Sequence, residues 1–196
     1  MMNSRFDWDE VDCLITLLHT QGISYLIGNG SSVSEDDGSV DPVHLIQRLA
    51  ACGYPLVENA SISLFIIRPE LASSVVEALQ RSEGDVAEHI AVVTLATLYL
   101  QQWWFFRLTF AFGRLPCFPE APFVSLWEER HLPSPRSGYG LSGLLALGEY
   151  QQQQYGVPLN FLDDWQNQIN HLLIQEEAYR RELSGNLREV LVQLST

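Results

Sequence analysis

The chain contains no lysine. All eleven of its cations are arginines: Arg5, Arg48, Arg68, Arg81, Arg107, Arg114, Arg130, Arg136, Arg180, Arg181 and Arg188. Lysine is normally among the commonest residues, and its absence excludes whole chemistries. There can be no lysine Schiff base, no Walker A phosphate lysine and no kinase nucleotide lysine. No side-chain amine can accept an acetyl, methyl or ubiquitin-type group either, although genome composition is enough to account for the missing residue. Charge of either sign is sparse, at 18% of residues against a typical quarter. Cysteine is scarce as well. Cys13, Cys52 and Cys117 are odd in number and too few for a disulfide framework, so they read as reduced thiols. A basic, then apolar, leader is missing from Met1–Asp12, which is polar and acidic. The cytoplasm is the expected compartment.

What is present is acid and aromatic, unevenly placed. The net charge is −13, which argues against direct nucleic-acid binding, since that depends on neutralising phosphates. Residues 1–88 hold fourteen acids and four arginines, and residues 89–196 hold ten and seven. Four of the five tryptophans and seven of the nine phenylalanines lie after residue 100. The length fits one domain, or one domain with an extension. We divide it into an acidic α/β unit over 1–84 and a helical part over 85–196, packed together as one compact domain.

The elements follow from caps and periodicity. Asp7 with Glu10 has capping-box spacing, Phe6 and Val11 fit a hydrophobic staple, and Val11, Leu14, Ile15 and Leu18 form one stripe ending at Gly22. Ile23–Ile27 reads as a strand, Gly28–Asp41 as a loop, and Asp41-Pro42 as a helix start. Pro55–Glu58 and Ser61–Arg68 read as two strands around Asn59-Ala60. The second is apolar on both faces, as a covered central strand would be. Pro69 and Glu70 open the next helix. The sequence therefore predicts an α+β, helix-rich fold: a small N-terminal α-β-α-β-β-α unit, similar in order to the start of a split βαβ arrangement, followed by an all-helical C-terminal half.

That half centres on residues 85–113, predicted as one long helix, with two strands beginning at 91–100 as the alternative because Val, Thr and aromatics favour sheets. Helices are expected over about 123–130, 141–154, from 161 to Arg180-Arg181, and over 185–194, the last with Leu187, Val190, Leu191 and Leu194 inward. Ile90–Phe112 is long enough to span a bilayer. Gln101, Gln102 and Arg107 inside it, and a lone cation Arg114 beside it, make a membrane span disfavoured.

No catalytic constellation is complete. Gly28-Asn29-Gly30-Ser31-Ser32 resembles the start of a phosphate loop, but Glu35, Asp36, Asp37 and Asp41 follow it instead of a helix N-terminus. These four read as a solvated acidic loop. Glu128-Glu129-Arg130-His131 contains one Glu-x-x-His with no second copy for a di-iron site. Cys117 has no evident base, and the five histidines show no paired metal spacing. No metal and no cofactor is expected.

The function expected from these features is non-enzymatic: a regulator, adaptor or assembly protein that binds a protein partner or forms a homo-oligomer. The acidic N-terminal face would steer a basic partner. The alternative is a small-ligand protein or enzyme with an apolar pocket beside the long helix. Trp103, Trp104, Phe105, Arg107, Tyr139 and Trp165 are the interaction or pocket candidates, with Gln101, Gln102 and His131 as further polar groups.

Overall fold

The computed structural model describes residues 7–28, 40–113, 117–156 and 161–194. Among them there are nine α-helices and no strand, so the α+β expectation is overturned and with it the α/β character of residues 1–84. The helices are α1 (Trp8–Thr20), α2 (Pro42–Ala51), α3 (Pro55–Ile67), α4 (Ala72–Arg81), α5 (Gly84–Trp103), α6 (Phe105–Phe112), α7 (Val124–Glu129), α8 (Leu141–Tyr155) and α9 (Phe161–Leu194).

Helix α1 forms as its caps dictate. The Asp7 carboxylate accepts from the backbone N–H groups of Asp9 and Glu10 at 3.2 and 3.3 Å. Its end is a Schellman motif: Gly22, at φ +94, donates to His19 O at 3.0 Å, and Ile23 donates to Leu18 O at 2.9 Å. Glu10 does not close the capping box but binds Arg48 of α2 through both carboxylate oxygens, at 2.8 and 2.9 Å. Phe6 of the expected staple lies outside the described residues.

Three expected strands are absent for two physical reasons. Residues 23–27 have no neighbouring strand. The Gln175 side chain of α9 takes that place, accepting from Ser24 N at 2.8 Å and donating to Gly22 O at 2.7 Å. Residues 55–67 form one helix, with Pro55 at its first turn and Asn59-Ala60 in its interior. Val57 and the whole run Ala60–Ile66 are buried. A helix buried on every side loses its amphipathic period, so its apolar run looks like a strand covered on both faces.

The predicted long helix over 85–113 is helical but bends. Trp104, at φ −99 and ψ 12, separates α5 from α6, and Leu108 N still donates to Trp104 O at 2.9 Å. The two-strand alternative does not occur. Asp85 and Glu88 have capping-box spacing in the sequence, but α5 starts at Gly84 with no side-chain cap, and Glu88 binds Arg130 at 2.6 Å. The break expected before Gly185 is also absent, since α9 runs unbroken from Phe161 to Leu194. Asn160, which with Asp163 has the sequence spacing of a cap for this helix, falls outside the described residues.

Helix α5 is the axis of the molecule. It packs against α2, α3, α4, α7, α8 and α9, and every residue from Ile90 to Gln101 is buried. Buried Thr94 and Thr97 satisfy their hydroxyls on Ile90 O and Val93 O, each at 2.7 Å. Helix α8 approaches α5 closely because Gly143 has no side chain: a Cβ there would lie 2.1 Å from the Tyr99 ring. The Tyr99 hydroxyl donates to Pro133 O at 2.8 Å. One core cluster joins helices from both ends of the chain.

Candidate functional site

Just beyond the bend at Trp104 the apolar surface turns outward. In α6 only Leu108 is buried. Phe106 and Phe110, one helical turn apart on the same face, are 83% and 87% exposed. They line a groove of about 350 Å³ together with Arg107 and Ala111. The opposite wall belongs to α9, through Leu173, Glu176, Glu177 and Arg180. Arg180 donates to Glu176 at 2.8 Å and to Phe110 O at 3.5 Å, and Arg181 pairs with Glu177. The groove is thus apolar at its floor and lined above by charges of both signs. From Glu177 to Ser184 every residue of α9 is exposed.

The sequence candidates divide. Trp103 and Trp104 are half-buried and meet edge to face at 5.8 Å. Phe105 is exposed and meets Phe106 the same way at 5.6 Å. The Arg107 guanidinium lies 4.5 Å above the Trp104 ring, a cation–π arrangement. These residues gather at the bend, and Arg107 enters the groove. Trp165 does not join them. It is buried in the core, stacked on Phe161 at 5.7 Å. Tyr139 is exposed in the short 3₁₀ turn Ser137–Gly140 before α8.

The polar candidates have structural tasks. Gln101 clamps the backbone of Phe118, donating to its carbonyl at 2.8 Å and accepting from its N–H at 3.0 Å. This holds a stack of Phe65, Phe118 and Phe123, with ring separations of 5.4 and 5.2 Å. Gln102 donates to Glu120 at 2.8 Å, and Glu120 also binds Arg136 at 3.1 Å. His131 is exposed at φ +54, just past the end of α7. The Glu-x-x-His spacing therefore does not place Glu128 and His131 on one helical face. Asp41 caps α2, accepting from Val43 N at 3.1 Å. Glu35, Asp36 and Asp37 fall outside the described residues. Cys117 is exposed, while Cys13, half-buried, takes a hydrogen bond from Arg48 at 3.2 Å. Among the described residues no group of three or more His, Cys, Asp or Glu side chains could hold a metal ion.

A second, more polar concavity lies on the other side of α9, lined by Tyr25, His171, Ile174, Gln175 and Tyr179 among others. Its polar groups are largely used internally. The Tyr25 hydroxyl lies 2.7 Å from Gln168 Oε1 and 3.0 Å from Ser63 Oγ, and burial pushes its pKa well above the usual range. Gln175 is engaged at both ends as described.

Sequence reasoning missed Phe106, Phe110 and the α9 wall. The signal that marks them is the position of Arg107. A cation inside an aromatic run is an argument against a membrane span, and equally an argument that the adjoining turn faces water. Among the described residues no helix is long and apolar enough to cross a membrane. No family model, no curated protein and no solved structure matches the chain.

Proposed function

We propose that the chain is a non-enzymatic interaction protein, a regulator, adaptor or assembly factor, whose binding face is the α6–α9 groove. One observation carries the reading: Phe106 and Phe110, both more than four-fifths exposed, stand side by side over an apolar floor. Two such rings leave on the order of 300 Å² of aromatic surface in water. With the neighbouring apolar residues this reaches the size at which an exposed patch marks a binding site. Aromatic residues flanked by arginine are also the composition of interface hot spots.

The reading is tested by affinity capture with the full chain as bait and Phe106→Asp/Phe110→Asp as the control. The double variant is expected to lose the captured protein while retaining the helical circular dichroism of the parent. Capture unchanged by the double variant would overturn the assignment of this face.

The groove volume of about 350 Å³ favours a second reading, a small apolar ligand, because it falls within the range of ligand pockets. Binding of a hydrophobic fluorescent probe that survives Phe106→Asp but is lost on Leu173→Asp would support a ligand seated on the floor rather than a protein on the rim.

A further inference from the structure

We infer, on the small-ligand reading of the α6–α9 groove, that its ligand is an amphipathic monocarboxylate, with an apolar tail on the groove floor and one acid head on Arg107. The structure describes the side chains of eight arginines. Seven of them form an ion pair with a glutamate. Among the described residues Arg107 alone has no carboxylate partner, in a chain with 24 acids to 11 cations. Where acid is in such excess, an arginine that no carboxylate meets is the exception, and this one stands in the lining of an apolar groove.

The facing wall does not supply the missing partner. Glu176 and Glu177 line it, but each is held one turn along its own helix, by Arg180 and Arg181 respectively. Those pairs cancel, so the uncompensated charge at the groove is the single cation of Arg107. Its guanidinium lies 4.5 Å above the Trp104 ring, which attracts the charge but leaves the planar fork of N–H donors without an oxygen acceptor. The indole Nε1 of Trp104 is buried and has no acceptor among the described residues either. Donors therefore outnumber acceptors at this corner. A carboxylate is acceptor-only and fits the guanidinium fork through both oxygens.

The remaining lining sets the rest of the ligand. Phe106, Phe110, Ala111 and Leu173 offer apolar surface around a volume of about 350 Å³. Ligand pockets combine such a lining with a few placed polar groups that fix orientation. A dianionic head would set its second charge near Glu176 and Glu177 with no free cation to meet it, and a cationic head would face Arg107 as a like charge. One negative charge on an apolar body satisfies both walls.

The test uses three probes that share one tail: 4-phenylbutanoate, 4-phenylbutan-1-ol and 4-phenylbutylammonium, each titrated into the full chain at neutral pH by calorimetry. The acid is expected to bind tightest and the ammonium weakest, with the acid about fivefold tighter than the alcohol at low salt. Physiological salt should narrow that preference. Arg107→Gln is expected to bring the acid to the affinity of the alcohol, and Arg107→Lys to restore part of the difference, while the alcohol is unaffected by either. Leu173→Asp is expected to abolish binding of all three. Heads that bind equally to the parent, or an acid preference that survives Arg107→Gln, overturn the inference and leave the small-ligand reading standing. No binding by any of the three, or binding indifferent to Leu173→Asp, overturns both.

Discussion

Helices α5 and α6 follow one another with a single residue between them and draw on the same apolar vocabulary, yet their surroundings differ completely. Every residue from Ile90 to Gln101 in α5 is buried, while α6 buries only Leu108 and holds Phe106 and Phe110 out in water. The difference lies in what surrounds each helix. Six helices pack around α5, namely α2, α3, α4, α7, α8 and α9, whereas the main helical neighbours of α6 are α5 itself and α9. Apolar content alone therefore does not separate core from binding surface. The number of sides covered does, and the covered and open stretches meet at Trp104.

The largest effect that would sharpen this contrast is a cavity in α5. Leu98 is fully buried, and Leu98→Ala is expected to cost about 2–5 kcal/mol, from lost transfer energy plus an unfilled void. Equilibrium urea unfolding at constant slope measures it. A loss under about 1 kcal/mol would mean that the core around α5 collapses onto the gap far better than cores usually do, and α5 would no longer be the axis.

The length of α5 made it legible in the sequence, whereas much of the N-terminal part lacked a readable period. Periodicity reports a helix only when one face is wet. In α1, Val11, Leu14, Ile15 and Leu18 are buried and Asp9 is exposed, so the stripe was readable and the caps confirmed its ends. In α3 there is almost no wet face, and Ile62, Leu64 and Ile66 alternate with Ser63 and Phe65 as a strand would. Both serines there are buried. Ser63 Oγ reaches Gln168 O of α9 at 3.1 Å, a contact no local pattern announces. Length separated the two cases, because 85–113 is too long for a strand and 61–68 is not. The candidate site was half legible. The cluster at Trp103–Arg107 was found, but its outward face and its α9 wall depend on a contact between residues some seventy positions apart, and Trp165 was drawn into the core instead.

A smaller effect concerns the start of α5, where burial extends to a titratable group. Burial pushes the His89 pKa down to about 4, against about 6.5 for an unfolded chain. The neutral ring is thus preferred in the folded state. The unfolded chain binds more protons between these two values, so stability is full above pH 6.5 and falls as the pH drops toward 4. The loss is on the order of 3 kcal/mol at most. Glu58 opposes it: burial raises its pKa, so its contribution is present below its unfolded pKa and is lost as the pH rises through its folded one. His89→Leu removes the histidine contribution alone. Denaturant midpoints at pH 7 and pH 5 should draw together in His89→Leu relative to the parent, and an unchanged gap would mean that His89 is as wet as α6.

The smallest expected effect on stability sits where the largest effect on association is proposed. Phe106→Ala and Phe110→Ala remove large side chains, but in the single chain those side chains lie mostly in water. Truncating them leaves no cavity, and the cost to folding should stay within about 0.5 kcal/mol. The measurement has to be made at a protein concentration low enough to dissociate any assembly, because association would otherwise add its own stabilisation to the parent. Under that condition a cost near that of Leu98→Ala would show that α6 is packed like α5, and the contrast between the two helices would disappear. A small cost at low concentration that grows as concentration rises would show instead that these rings are buried only when two chains meet, which is what separates an interface helix from a core helix of the same composition.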